Sequence, residues 1–218
     1  MIKSELLSSL ISNGVFAVIR MADTKKLKKV VEAISIGGVK NIEITMTIPN
    51  AVNAISELVR SSGNYIIIGA GTVIDTKLVS AVIDAGAQFV VSPIWDINIF
   101  NECKSRNVVC IPGCFTPTEI FNAWTNGADF IKVFPASSLG PQFFRDIKGP
   151  FPDIRLMPTG GVTIDNVSQW VKSGAVAIGI GSDLLDKKAI AEERYEVLTE
   201  KATRLVENFN NARYKNKP

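Results

Sequence analysis

The sequence predicts an α/β protein, a (β/α)8 TIM barrel with an additional short N-terminal helix. Three observations predict it. Short apolar runs recur at a near-regular interval, most are followed by a polar or Gly/Pro turn and a stretch of helical period, and no break in composition interrupts the alternation. The 218 residues suit a barrel of this kind as a single domain over 1–218, with no linker, low-complexity tract or second domain. An open doubly wound sheet is the structural alternative, and the regular spacing of the units favours closure.

Before the first strand, Leu6, Leu7, Leu10 and Ile11 form an apolar stripe at helical spacing, suited to covering one end of the barrel. The strands are read as Phe16–Ile19, Ile42–Met46, Tyr65–Gly69, Gln88–Ser92, Val108–Ile111, Phe130–Phe134, Ile154–Met157 and Val176–Ile180. Helical spacing follows the second strand at Ala51, Ile55, Leu58 and Val59, and the third at Leu78, Val79, Val82 and Ile83. Thr116-Pro117-Thr118-Glu119 reads as a capping box with proline at the first helical position, so Glu119 is a helix cap rather than a catalytic acid. The last helix is marked by Tyr195, Leu198, Ala202, Leu205 and Phe209, alternating spacings of three and four.

Composition narrows the chemistry. Hydrophobic residues make up 46%, enough for a large core, and the formal charge of +3 comes from 24 basic and 21 acidic residues. The basic residues are scattered, apart from Lys25, Lys26, Lys28, Lys29 and the tail Arg213, Lys215, Lys217, which argues against nucleic acid as a partner. There is no histidine, so His-dependent triads and His-containing metal sites are excluded. Acid–base work falls to Glu, Asp, Lys, Tyr or Cys. Cys103, Cys110 and Cys114 are odd in number, lie in strand and turn segments, and read as structural thiols rather than metal ligands. No secretory h-region and no uninterrupted membrane-length apolar stretch is visible, so the expectation is a cytoplasmic protein with reduced thiols and no membrane partner.

In a barrel the functional face is the C-terminal end of the strands. The sixth strand places Phe130, Lys132 and Phe134 on one face by period two, with Ile131 and Val133 turned toward the helices. A lysine inside a barrel is desolvated, and desolvation favours the neutral amine that attacks carbonyls. The alternative is a lysine ion-paired across the barrel without chemistry. In the second strand Ile42, Ile44 and Met46 face the helices, leaving Glu43, Thr45 and Thr47 inside. A buried carboxylate needs a partner or a task, and Lys132 and Glu43 supply one another's.

Glycine turns follow the last two strands, at Pro158-Thr159-Gly160-Gly161 and Gly179-Ile180-Gly181-Ser182-Asp183. Glycines let backbone amides approach an anion, a following helix start adds its dipole, and barrels hold phosphate in just these loops. The alternative is a pair of tight turns with no ligand. Gly69-Ala70-Gly71-Thr72 lacks the spacing of a dinucleotide fingerprint and reads as a turn that brings Thr72 to the mouth. Arg20, closing the first strand in register with Phe16 and Val18, suits a substrate carboxylate or phosphate, or a rim salt bridge.

Glu43-Ile44-Thr45, Gly69-Ala70-Gly71-Thr72, Ser92-Pro93, Pro112-Gly113, Thr116-Pro117-Thr118-Glu119, Lys132-Val133-Phe134-Pro135 and Pro158-Thr159-Gly160-Gly161 together resemble the 2-keto-3-deoxy-6-phosphogluconate / 4-hydroxy-2-oxoglutarate aldolase family, over nearly the whole chain and in the family's order. The resemblance implies a class I, Schiff-base aldolase without cofactor or metal, assembled as a homotrimer. It implies Lys132 as the imine-forming lysine and Glu43 as the general acid/base. It places Gly160, Gly161, Gly181 and Ser182 at the phosphate, Thr72, Pro93 and Phe134 at the pyruvate half, and Thr159 near the sugar chain. The implied reaction splits 2-keto-3-deoxy-6-phosphogluconate into pyruvate and glyceraldehyde 3-phosphate.

One departure bears on binding. Many members have arginine where this chain has Thr47, holding the substrate carboxylate; Arg20 is the expected replacement. Within the family, 2-keto-3-deoxy-6-phosphogalactonate and 4-hydroxy-2-oxoglutarate are alternative substrates. Outside it stand a phosphate-binding isomerase or synthase barrel that works without an imine, and a non-catalytic sugar-acid binder. Neither needs a lysine inside strand six.

Overall fold

A computed structural model describes residues 2–214; Lys215 and Lys217 of the basic tail lie outside the described residues. The parallel strands are β1 (Val15–Ile19), β2 (Asn41–Thr45), β3 (Ile67–Gly71), β4 (Phe89–Val91), β5 (Val109–Ile111), β6 (Gly113–Cys114), β7 (Ile131–Val133), β8 (Leu156–Pro158) and β9 (Ile178–Ile180). The helices are α1 (Lys3–Asn13), α2 (Leu27–Ile36), α3 (Ala51–Ser61), α4 (Thr76–Asp84), α5 (Ile97–Ser105), α6 (Pro117–Thr125), α7 (Gly140–Lys148), α8 (Val167–Lys172), α9 (Lys187–Ala191) and α10 (Tyr195–Tyr214). The strand–helix alternation expected from the sequence is present, with α1 ahead of it.

The strands run β5-β4-β3-β2-β1-β9 in one ladder and β6-β7-β8 in another. β5 and β6 are one strand interrupted at Pro112, which has no N–H to give a ladder. Its carbonyl still accepts from Lys132 N at 2.9 Å, so the chain carries pairing from one ladder to the next. On the other side the seam closes more thinly. β8 meets the β9 segment through the isolated bridges Leu156↔Ala175 and Thr159↔Gly179 and a 3.1 Å bond from Val176 N to Leu156 O. The sheet thus curls into a circuit with two different joints.

Alternation divides the core as period two requires. Ile42, Ile44, Ile131 and Val133 face outward and pack with Val30, Ile34 and Ile55 of the helices. Phe16, Ile67, Phe89, Phe130 and Met157 face inward, and Leu6 and Leu10 of α1 close over them from the N-terminal end. Phe16 meets Phe89 edge-on at 5.4 Å and Phe130 at 6.3 Å; such pairs contribute about 0.5–1.5 kcal/mol each beyond burial. Helix α1 is fixed there by polar groups as well. Asn13 Nδ2 donates to Asn41 Oδ1 (2.9 Å), Asn41 Nδ2 donates to Leu10 O (3.1 Å), and Lys3 pairs with Asp129 at 2.9 Å. Gly14 ends α1 at φ 68 in space bounded by the Phe209 ring, where no side chain fits.

Two elements differ from the sequence expectation. The third strand is Ile67–Gly71 rather than Tyr65–Gly69: Tyr65 lies in an exposed 3-10 turn, and Gly69-Ala70-Gly71 is strand, not turn. The glycines are there for space, since Cβ atoms would strike the Phe89 ring from Gly69 and the Glu43 carboxylate from Gly71. Cys103 lies in α5 rather than in a strand or turn, and all three cysteines are buried and free. Elsewhere the local chemistry matches. Thr116 and Glu119 cap α6 reciprocally, and hydrogen bonds led by the Phe115 amide hold the Glu119 carboxyl below its ordinary range. Burial pushes the Cys114 thiol up to about 12, helped by the nearby Glu119 charge, so it stays protonated. Among the described residues no helix is long and apolar enough to cross a membrane.

Candidate active site

Strand β7 delivers Lys132 to the interior because Ile131 and Val133 take the outer core. It lies in register with Gly113 on one side and Met157 on the other, and its side chain is only 4% exposed. Its Nζ stands 4.9 Å from the centre of the Phe134 ring, which lies half-buried above it. Phe134 is joined to Pro135 by a cis peptide bond.

Glu43 enters from β2 on the far side of the circuit, with β1, β9 and β8 between it and β7 along one arc. It is fully buried, and neither carboxylate oxygen has a hydrogen-bond partner. Burial pushes its carboxyl above the ordinary pKa, while the positive charges of Lys132 and then Arg20 pull it back; the balance stays raised. The mutual pairing expected from the sequence is therefore electrostatic, not a hydrogen bond. The two groups come from opposite walls of the circuit. Gly71 makes this position possible by leaving the volume that the carboxyl fills.

Around the mouth, Thr72 follows β3 at φ 58, a left-handed conformation that a β-branched residue takes only under constraint from its surroundings. Pro93 follows β4 half-buried, and its backbone occupies the space where a Gly113 side chain would go. Arg20 stands exposed one residue past β1, and its charge reaches Glu43. Thr45 links these strands: its hydroxyl donates to Ile19 O at 3.0 Å and shares a 2.8 Å hydrogen bond with the exposed Thr47. Thr47 is thus at the same part of the rim as Arg20.

Thr159 closes β8, buried, with no partner for its hydroxyl, and a Gly179 side chain would collide with that oxygen. Gly160 and Gly161 follow at φ 90 and φ 78, values that require glycine. Gly181 and Ser182 stand beside them at the end of β9, Ser182 exposed. The helix starts expected to add their dipoles are not at these turns: α8 begins only at Val167 and α9 at Lys187. Thr163 and Asn166 close a bonded turn ahead of α8, and Asp186 caps α9 through the Ala189 amide, so neither glycine turn opens directly onto a helix start.

Lys132, Glu43, Thr72, Pro93, Phe134, Thr159 and the two glycine turns therefore converge on one end of the barrel, with Arg20 at its rim. Three contributors have roles that the sequence did not reveal. Gly71 and Gly179 are space-makers whose role depends on cross-strand register. Ser137, in the 3-10 turn Ala136–Ser138 after β7, lies against Gly161, where a Cβ would come within 2.7 Å of the Ser137 Cβ.

Comparison with known proteins converges on one group. The family model for KDPG and KHG aldolases matches residues 7–201. The 2-dehydro-3-deoxy-6-phosphogalactonate aldolase of Escherichia coli K12 is 36% identical over 155 residues, 71% of this chain and 76% of that protein. The 2-dehydro-3-deoxy-phosphogluconate aldolase of Pseudomonas aeruginosa is 34% identical over 160 residues, 73% of this chain and 72% of that protein. Among solved structures, the KDPG aldolase of Legionella pneumophila, with pyruvate captured at low pH as a covalent carbinolamine, superposes with a TM-score of 0.85 at 26% identity, covering 91% of this chain and 97% of that one.

Proposed function

Because the chain belongs to the KDPG and KHG aldolase family and is a lyase of the aldolase type, we propose that it cleaves a phosphorylated 2-keto-3-deoxy sugar acid to pyruvate and glyceraldehyde 3-phosphate through an imine on Lys132. One observation carries the reading. A buried lysine and a buried carboxyl with both oxygens unpartnered face each other across the barrel's open end.

The neutral amine of Lys132 adds to the C2 ketone. Glu43, its carboxyl held protonated more readily by burial, gives a proton to the departing C2 hydroxyl, and water leaves as the iminium forms. The resulting Glu43 carboxylate takes the C4 hydroxyl proton. The C3–C4 bond breaks, its electrons pass into the iminium, and the aldehyde departs. The remaining enamine is protonated at C3, and water hydrolyses the imine to release pyruvate and the free amine. Amides of Gly160, Gly161, Gly181 and Ser182 hold the phosphate, and Thr72, Pro93 and Phe134 line the pyruvate half. Arg20 takes the carboxylate in place of an arginine at Thr47. Binding energy from the remote phosphate positions the reacting carbons. No cofactor enters this scheme.

We read the substrate as 2-keto-3-deoxy-6-phosphogluconate. The Thr159-Gly160-Gly161 turn supports it, and the unpartnered Thr159 hydroxyl can receive a substrate hydroxyl. The galactonate epimer is a second reading, supported by the 36% identical relative from Escherichia coli. Comparative rates on the two C4 epimers separate them, and equal turnover of phosphate-free 4-hydroxy-2-oxoglutarate would favour a third. The protein is read as one barrel domain, cytoplasmic in keeping with its free thiols, and assembled as a homotrimer. Ile74, Ile94, Ile97 and Phe115 support assembly: all are exposed, and they follow the consecutive strands β3, β4 and β5/β6.

Incubation with pyruvate and borohydride, followed by peptide mass spectrometry, tests the chemistry. A reduced pyruvyl adduct on Lys132 is expected, with turnover abolished in Lys132→Ala. Glu43→Gln should slow cleavage about 10²- to 10⁴-fold while still forming the adduct. Arg20→Ala should need more pyruvate for half-maximal trapping. Appreciable turnover by Lys132→Ala, or no adduct on the folded protein, sinks the imine.

A further inference from the structure

We propose that Asp183 is a positioning residue that locks the two glycine turns together, so that the amides of Gly160–Gly161 and of Gly181–Ser182 face one phosphate. The inference rests on the phosphate reading above. It starts from the thin seam of the barrel. Elsewhere neighbouring strands share ladders, which fix the loops they carry. β8 and β9 belong to different ladders and meet through isolated bridges and the bond from Val176 N to Leu156 O. Yet the two halves of the phosphate site grow from these two strands, so something other than a ladder must set their spacing.

The Asp183 side chain spans that gap. Its Oδ2 accepts the amide of Ile164 at 2.8 Å, tying the β9 turn to the loop that begins at Gly161. Within that loop Asn166 carries the connection back: its Nδ2 donates to Gly161 O at 2.8 Å and its Oδ1 accepts from Thr163 N at 2.8 Å. A continuous path thus runs from Gly161 through Asn166, Thr163 and Ile164 to Asp183, next to Ser182. Helix α10 anchors both ends of the Asp183–Ile164 link. Lys201 Nζ donates to Asp183 O (3.1 Å) and to Asp186 Oδ2 (3.2 Å), and Asn208 Nδ2 donates to Ile164 O (2.9 Å).

The charge sign supports a role through geometry. A carboxylate one residue from a phosphate-binding serine repels the ligand, by about 1 kcal/mol for unit charges 4 Å apart even at the dielectric of water. A direct ligand there would be neutral or cationic. Asp183 is acidic and spends its oxygen on a backbone amide, which a carboxylate accepts more strongly than a neutral group would.

The test compares wild type, Asp183→Ala and Asp183→Asn in three measurements: KM and kcat for the phosphorylated substrate, inhibition by inorganic phosphate, and borohydride trapping with pyruvate, which has no phosphate. Asp183→Ala is expected to raise KM and weaken phosphate inhibition about tenfold, the loss of one hydrogen bond to a charged group. Pyruvate trapping should be unchanged. Asp183→Asn keeps an acceptor oxygen and should recover most of the loss. Unchanged KM in Asp183→Ala overturns the proposal, as does an Asp183→Asn protein that binds phosphate more tightly than wild type, because the charge rather than the brace would then dominate. If Asp183→Ala does not fold, Asn208→Ala is expected to raise KM in the same direction, and its failure to do so is equally decisive. A wild-type protein that phosphate does not inhibit instead overturns the phosphate reading itself.

Discussion

Glu43 sits in an environment that a surface carboxylate never meets, and this has a consequence beyond catalysis. Burial pushes its carboxyl pKa above the ordinary value in the folded protein, so the fold binds that proton more tightly than the unfolded chain does. The stability this represents is fully present below the unfolded value and is lost as pH rises through the folded one. Glutamine has no proton to lose. Glu43→Gln should therefore match wild type in Tm at about pH 4 and exceed it by about 3 °C at about pH 8, read by thermal melts across that range. A Glu43→Gln protein that melts below wild type at high pH would mean that the charge is well compensated. The inward placement of Glu43 and Lys132 was legible from sequence, because alternation within a short apolar strand leaves each only one face. The missing hydrogen bond between them was not, since the distance across a barrel depends on which strands stand opposite.

At the level of elements, the third strand carries the clearest lesson. Its glycines suggest a turn when read along the chain, and only the neighbouring strands reveal them as clearance for Phe89 and Glu43. Local propensity argues against glycine in a strand, and tertiary space overrides it. Gly71→Ala keeps the strand's φ but drives a methyl into the Glu43 carboxyl. Stability should fall by about 1–3 kcal/mol, as in overpacked cores, and turnover should fall much further than pyruvate trapping, because the displaced group is the proposed proton carrier. Near-normal turnover in Gly71→Ala would show that Glu43 has another place to stand. The turns after β8 and β9 teach the converse. Their glycines were visible in sequence, whereas the long approach to α8 was not, because Thr163 and Asn166 close a bonded turn that delays the helix.

At the scale of the molecule, the order of strands and helices and the stopper helix at the front were all readable from hydrophobic period. The unequal joints at Pro112 and between β8 and β9 were not, because pairing is a property of neighbours distant in sequence. The apolar rim after β3, β4 and β5/β6 belongs to the same scale. Ile94→Lys combined with Phe115→Glu should convert a trimer to monomers by light scattering; a trimer that survives the double change places the interface elsewhere. The aromatic floor has one more effect. Phe16, Phe89 and Phe130, with Leu6 and Leu10 of α1 against them, fill the interior at its N-terminal end. In the proposed reading the pyruvyl group is bonded to Lys132, while the phosphate lies at the glycine turns that follow β8 and β9. Under the proposed chemistry the phosphorylated aldehyde departs first, because pyruvate stays tethered to the strand until its imine is hydrolysed, so the packed floor leaves the C-terminal face as the side on which both products exchange with water.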